Sequence, residues 1–189
     1  MNSRLVVVWD WNGTLVDDSF VFVEIMNEYL SSYGLKKNSL KDYQNNFCFP
    51  VSQYYKQLGF NLSKKEFEFL SADFIERYKA VMFKPKMKLG IYNILNYLKK
   101  KNCSQLVLSA QEQNLLNLSI LHYSLGDYFE GVFGLDNNFA ASKTTLARSC
   151  LSPFIRNKQK IVFIGDTVHD FEVASSVGAS CVGASCVGA

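Results

Sequence analysis

Three short apolar runs punctuate the chain, and each stops at a small or acidic polar residue followed by a turn. Leu5-Val6-Val7-Val8-Trp9 leads into Asp10, Leu106-Val107-Leu108 into Ser109, and Ile161-Val162-Phe163-Ile164 into Gly165-Asp166. None alternates with polar residues, so each suits a strand buried on both faces, as in a parallel sheet between helices. Val132-Phe133-Gly134-Leu135 predicts a further, shorter strand. Helical spacing fills the gaps. Ile91, Ile94, Leu95 and Leu98 recur ahead of Lys99-Lys100-Lys101, whose cations suit the negative end of a helix. Leu115, Leu118 and Leu121 repeat the spacing after Gln111. The alternation predicts an α/β fold with a doubly wound, Rossmann-like parallel sheet.

From Asp18 to Lys88 the alternation breaks. Phe22, Ile25, Met26, Tyr29, Leu30 and Tyr33 predict an amphipathic helix stopped by Gly34. Ser63 with Glu66 forms a capping-box pattern that opens a second helix carrying Phe67, Leu70, Phe74, Ile75, Tyr78 and Met82. Between them, Tyr43 to Leu58 is aromatic-rich and interrupted by Pro50. The expectation is a core domain of residues 1–17 and 89–189 and a helical insertion of residues 18–88. An insertion at the carboxyl edge of a parallel sheet lies where such sheets bind ligands, which favours a lid over a mere packing layer.

Composition narrows the class. The 189 residues are 48% hydrophobic and 20% charged, which excludes disordered, collagen-like and coiled-coil chains. A net charge of +3 is too slight to argue for nucleic acid or an anionic membrane. The insertion carries all of it, which suits a small anionic substrate, although a solvated lysine-rich face has the same signature. No apolar run approaches the roughly 18 residues of a spanning helix, and Leu5–Trp9 is too short for a signal-peptide core. The expected location is cytoplasmic. Five cysteines, Cys48, Cys103, Cys150, Cys181 and Cys186, show no metal-ligand spacing and read as reduced, mostly buried thiols. At the tail Val177-Gly178-Ala179-Ser180-Cys181 recurs from Val182 to Cys186, too briefly for a solenoid; one copy suits a last short strand.

Candidate chemistry gathers at the strand ends. Asp10-Trp11-Asn12-Gly13-Thr14-Leu15-Val16-Asp17 follows the first strand. An aspartate there can act as a nucleophile once its charge is neutralised. Gly13 permits a tight turn, and the local amides with the Thr14 hydroxyl can face phosphate oxygens. Ser109 offers a hydroxyl, followed by the Ala110 amide and a helix start; alone it is an ordinary N-cap. Lys143 opposes the dipole at a helix N-terminus, so it is expected to pair carboxylates and phosphate. Asp166 and Asp170, in Gly165-Asp166-Thr167-Val168-His169-Asp170, could share a divalent cation with Asp10, and hard oxygen ligands favour Mg²⁺. Asp170 also suits a helix cap through Val173 and Ala174. His169 reads as a solvent-edge loop residue without a catalytic role.

In this order and at these strand ends, the four segments resemble the haloacid dehalogenase superfamily, over about residues 5–180. Asp10 to Asp17, Ser109, Lys143 and Gly165 to Asp170 are similar to its four motifs. The insertion resembles its C1 cap, and the chain looks most like the phosphoglycolate-phosphatase branch. The resemblance implies that Asp10 attacks phosphorus and forms an aspartyl-phosphate. It implies Mg²⁺ held by Asp10, the Asn12 carbonyl, Asp166 and Asp170, and a phosphoryl group held by Trp11, Asn12, Gly13, Thr14, Ser109, Ala110 and Lys143. The implied partner is a small phosphorylated metabolite, with the protein a monomer or homodimer.

One departure matters. Most phosphatases of the family carry a second aspartate two residues after the nucleophile, as general acid and base; here that position is Asn12. A carboxamide positions groups but exchanges no proton near neutral pH. The leaving group could then need little protonation, another residue such as Asp17 or Asp18 could supply the proton, or turnover could be slow in a protein that mainly binds. Phosphonatase or dehalogenase chemistry is a further alternative. A phosphonatase would need a Schiff-base lysine in the cap, where Lys36, Lys37, Lys41 and Lys56 are available. For substrate choice the expected contacts are Phe47, Tyr54, Tyr55, Lys56 and Arg77, although aromatics at helical spacing also serve a core.

Overall fold

A computed structural model describes residues 4–136 and 143–184. The element order is β1 (Val6–Trp9), α1 (Ser19–Ser32), α2 (Leu40–Asn46), α3 (Val51–Gln57), α4 (Lys64–Val81), α5 (Ile91–Lys100), β2 (Ser104–Glu112), α6 (Gln113–His122), β3 (Gly131–Leu135), α7 (Lys143–Arg156), β4 (Ile161–Gly165), α8 (Val168–Ser176) and β5 (Ser180–Gly183). Ala140, Ala141, Ser142 and Cys186 lie outside the described residues. The chain divides into two compact units, Met1–Val16 with Met87–Ala189, and Asp17–Lys86.

The first unit is an α/β Rossmann-like domain with a five-stranded parallel sheet, in the order β3-β2-β1-β4-β5. Strands β1 and β4 and the Leu106–Leu108 stretch of β2 carry no polar side chain because helices cover both faces. On one face Val7, Trp9 and Val107 pack with Ile91 and Leu95 of α5 and Leu116 and Ile120 of α6. On the other, Val6, Val8, Leu106, Leu108, Ile161 and Phe163 pack with Ala147 and Leu151 of α7 and Val173 and Ala174 of α8. The strand order reverses direction between β1 and β4, and in open parallel sheets ligands bind beyond the carboxyl ends of the strands at such a reversal. Asp10 follows β1 there, and Asp166 follows β4.

The sequence expectations need correction along β2 and α6. Ser109 does not end the strand or cap the helix. After an irregularity in its pairing, β2 continues to Glu112, opposite Leu135 of β3, and this extra partner lengthens the strand. The cap of α6 is Glu112, whose carboxylate accepts from the amides of Asn114 (3.0 Å) and Leu115 (3.1 Å). Starting the helix there turns Leu115, Leu116 and Ile120 inward and leaves Leu118 and Leu121 51% and 75% exposed. Ile94 is likewise exposed while Ile91 and Leu95 are buried. The last strand, β5, joins parts of two copies of the tail repeat.

The second unit is helical. Capping boxes at Ser39 with Asp42 and Ser63 with Glu66 fix the starts of α2 and α4. Phe22 stacks with Tyr43, Phe74 and Tyr78, and Tyr55 meets Phe60 and Phe67. Tyr54 and Tyr55 are buried in this aromatic core. Asp18, wholly buried, accepts a 2.8 Å hydrogen bond from the Tyr78 hydroxyl. Arg77 is held by Asp73 (2.7 Å) and Glu28 (2.5 Å). Lys56 is exposed, and Phe47 packs on Tyr43 and Tyr54.

Candidate active site

The turn after β1 is built by the chain itself. The amides of Thr14, Leu15 and Val16 all donate to the Trp11 carbonyl. This curl buries the Trp11 ring in the core and requires the positive φ of 75° at Gly13. A side chain at Gly13 is excluded twice over, because a Cβ there would stand 2.3 Å from Asp166 Oδ2. The Asp166 carboxylate therefore lies directly against the turn, and the Thr14 hydroxyl donates to its Oδ1 at 2.7 Å.

Lys143 begins α7 and is 4% exposed. Its ammonium donates to Asp10 Oδ1 and, at 2.5 Å, to Asp170 Oδ1. The other oxygen of Asp170 is committed to α8, accepting from the Thr167 amide (3.0 Å) and hydroxyl (2.6 Å). The cap of α8 is thus Thr167, with Asp170 completing the box three residues on, so Asp170 does help cap the helix that carries Val173 and Ala174. Gly165 is tied to this arrangement, since a Cβ there would meet Asp170 Cγ at 2.3 Å. His169 lies in α8 rather than in a loop, 3.2 Å from Glu172.

The electrostatics are those of three clustered acids, two of which share one amine. Burial, the largest influence, pushes Asp10 up to about 8; Lys143 opposes that, and the carboxylates of Asp170 and Asp166 reinforce it. Asp166 is raised chiefly by the burial of its carboxyl, although the residue keeps an exposed outer side. Burial also works against ionised Asp170, but Lys143 and Thr167 together outweigh it and hold its pKa below the ordinary value. Burial likewise opposes the Lys143 charge, and Asp10 and Asp170 overcome it, so this pKa is raised.

One carboxylate oxygen each from Asp10, Asp166 and Asp170 lies within 4.8 Å of the others. An all-oxygen donor set with surplus negative charge fits a hard divalent cation such as Mg²⁺. Ser109 is buried and its Oγ accepts from the Gln111 amide at 3.0 Å. Ala110, next to it, is half-buried. Asn12 forms an isolated bridge with Val16, and the two span the Gly13 turn.

The haloacid dehalogenase-like hydrolase family matches residues 7–184 of the chain. The chain belongs to that family. No curated protein matches it. Among solved structures, it is similar to a haloacid dehalogenase-like family hydrolase from Streptococcus pneumoniae, with a TM-score of 0.78 and 19% identity over 97% of this chain and 85% of the other. It is also similar to a predicted phosphoglycolate phosphatase from Haemophilus somnus, with a TM-score of 0.74 and 20% identity over 97% and 86%. A third, Protein Tyrosine Kinase A of Mycobacterium tuberculosis, aligns with a TM-score of 0.78 and 19% identity over 96% and 84%. At these identities the likeness establishes the fold of the dehalogenase-like hydrolase. Different names on one fold leave the chemistry to be argued from the site.

Sequence reasoning missed Thr167 and Gln111. Thr167 was legible, because Thr-x-x-Asp ahead of a helix is a capping box. Gln111 carries no sequence signal; only its surroundings single it out. Among the described residues, no helix is long and apolar enough to cross a membrane, and Cys48, Cys103, Cys150 and Cys181 are half-buried free thiols.

Proposed function

We propose that the chain is a Mg²⁺-dependent phosphate monoester hydrolase that works through an aspartyl-phosphate on Asp10. The observation that carries this reading is the convergence of Asp10, Asp166, Asp170 and Lys143 at the carboxyl ends of β1 and β4. Asp10, Asp166 and Asp170, with the Asn12 carbonyl, would hold the ion, which supplies positive charge against the phosphate oxygens when bound. Asp10 is the nucleophile. Lys143 keeps its carboxylate oriented and offers a fixed cation to the charge of the transferring group, while the Thr14 and Ser109 hydroxyls and the amides of Trp11 to Gly13 and Ala110 orient that group. Such fixed donors act without reorganising during the reaction, the main source of acceleration in phosphoryl transfer. Substrate choice among small phosphorylated metabolites is assigned to the helical unit Asp17–Lys86, acting as a cap.

Asn12 supports a second reading, a weakly active phosphate-binding or regulatory protein, because it removes a proton-exchanging group that typically contributes ~10²–10⁴-fold. One experiment separates the two. A panel of small phosphate esters and acyl phosphates is assayed with and without Mg²⁺, and the quenched enzyme is examined by mass spectrometry. Metal-dependent turnover with a phosphate adduct on Asp10 is expected. No turnover across the panel and no adduct or beryllofluoride capture at Asp10 would leave the regulatory reading.

A further inference from the structure

We propose that Gln111 reads the leaving group of the phosphate ester and is a specificity-determining residue of the site; the inference rests on the phosphatase reading above.

Strand β2 carries two glutamines, Gln105 before the irregularity in its pairing with β3 and Gln111 within it. Gln105 is a satisfied core residue. Its Oε1 accepts from the Trp9 indole at 3.3 Å, and its Nε2 donates to the Leu95 carbonyl at 3.1 Å. Gln111 is the opposite case. Its Oε1 and Nε2 are both shielded from solvent, and neither has a hydrogen-bond partner among the described residues. Folded proteins rarely leave both ends of a buried carboxamide unmatched, and a group kept in that state calls for an explanation outside the fold. The backbone of Gln111 supplies no such need, because its amide donates to Ser109 Oγ whatever the side chain is.

The sheet register says what the side chain can serve. Val107 lies opposite Trp9, and from Leu108 to Glu112 the strand advances only the two levels from Phe133 to Leu135 of β3, so Ser109 and Gln111 both stand less than two residue levels beyond Asp10. At ~3.3 Å per residue, Gln111 is under ~7 Å further along the strand direction than Asp10. Ser109 is at the height of a phosphoryl group meeting the Asp10 carboxylate. In-line displacement puts the departing oxygen on the far side of phosphorus from the nucleophile. Gln111 follows Ser109 along β2, toward the side from which the leaving group departs. A carboxamide offers one acceptor and one donor together, and a hydroxyl-bearing leaving group matches both. Sites built to hydrogen-bond a substrate hydroxyl reject analogues lacking it far more strongly than apolar pockets discriminate by size.

The test compares glycerol 3-phosphate with propyl phosphate, which has the same carbon skeleton without hydroxyls, in the wild-type chain and in Gln111→Leu, with Mg²⁺ present. Thermal unfolding of both proteins is recorded without ligand. The wild type is expected to prefer glycerol 3-phosphate by at least tenfold in kcat/KM. Gln111→Leu is expected to bring that ratio to within about twofold while its Tm stays equal or rises, since an apolar side chain replaces an unmatched amide. A ratio unaltered by the substitution, with turnover intact, overturns the inference and leaves the phosphatase reading standing. A lower Tm also overturns it, because the amide is then a structural partner. Absence of turnover on either ester, in both proteins, overturns the phosphatase reading and this inference with it.

Discussion

The ammonium of Lys143 and the carboxylate of Asp170 meet at 2.5 Å although they lie in the first turns of different helices, α7 and α8. The same ammonium holds Asp10, so a single cation offsets charge on two of the three clustered acids. Lys143→Met removes it while keeping most of the side-chain volume. The expected cost is about 3–5 kcal/mol in urea unfolding without metal, the usual penalty for breaking a buried pair from one side. Turnover is expected to fall by ~10²–10³-fold, the scale of losing one fixed donor to a developing charge. A variant as stable and as active as the wild type would remove Lys143 from both roles.

Asn12→Asp restores a group that can give and take a proton. If acid–base help is all that is missing, turnover of esters with poor leaving groups is expected to rise by about 10²-fold, while acyl phosphates gain little. Steady-state rates on one ester and one acyl phosphate read the difference. An equal or lower rate on the ester assigns Asn12 a positive part in the mechanism.

At Gly165 an added methyl would overlap Asp170 Cγ. Gly165→Ala is expected to destabilise by about 1–3 kcal/mol, the range for forcing atoms into a filled site. It is also expected to depress turnover by displacing the carboxylate. Gly178 makes a useful control for local crowding, since a Cβ there meets nothing within 4 Å, although its positive φ adds a small strain of its own.

The helical unit predicts a pH effect away from the site. Hydrogen bonds from Tyr29 and Arg77 hold the Asp73 carboxyl below its ordinary 3.8. A depressed native pKa stabilises the fold above the unfolded value and loses that effect as pH falls through the native one. Tyr29→Phe is therefore expected to be less stable than the wild type at pH 7 and pH 5 by a similar margin, which narrows by pH 3. Urea unfolding at the three values measures it. A margin that is constant down to pH 3 would mean that the Tyr29 bond does not favour the charged form.

Strands buried on both faces were legible because parallel pairing demands uninterrupted Val, Ile and Leu, as in Val6–Trp9 and Ile161–Ile164. Asp10 and Asp166 stand out in the sequence for a related reason: each directly follows such a strand, where a charged residue has few structural excuses. The limits of β2 were not legible. Ser109 reads as a cap from sequence, but pairing with Leu135 of a distant strand carries β2 on to Glu112, and neighbours in sequence hold no trace of that. Leu118 and Leu121 were misassigned for the same cause, since moving the start of α6 rotates its inward face. Gln111 was invisible because an unmatched amide is defined by what surrounds it.

Asp170 divides its two oxygens between a lysine and the first turn of α8. Whatever draws Lys143 away, or competes with it for that carboxylate, changes the tension on a nine-residue helix that runs directly into the edge strand of the sheet. A ligand that displaces the Lys143 ammonium is expected to alter amide exchange along Thr167–Asp170, even when the compound is never turned over.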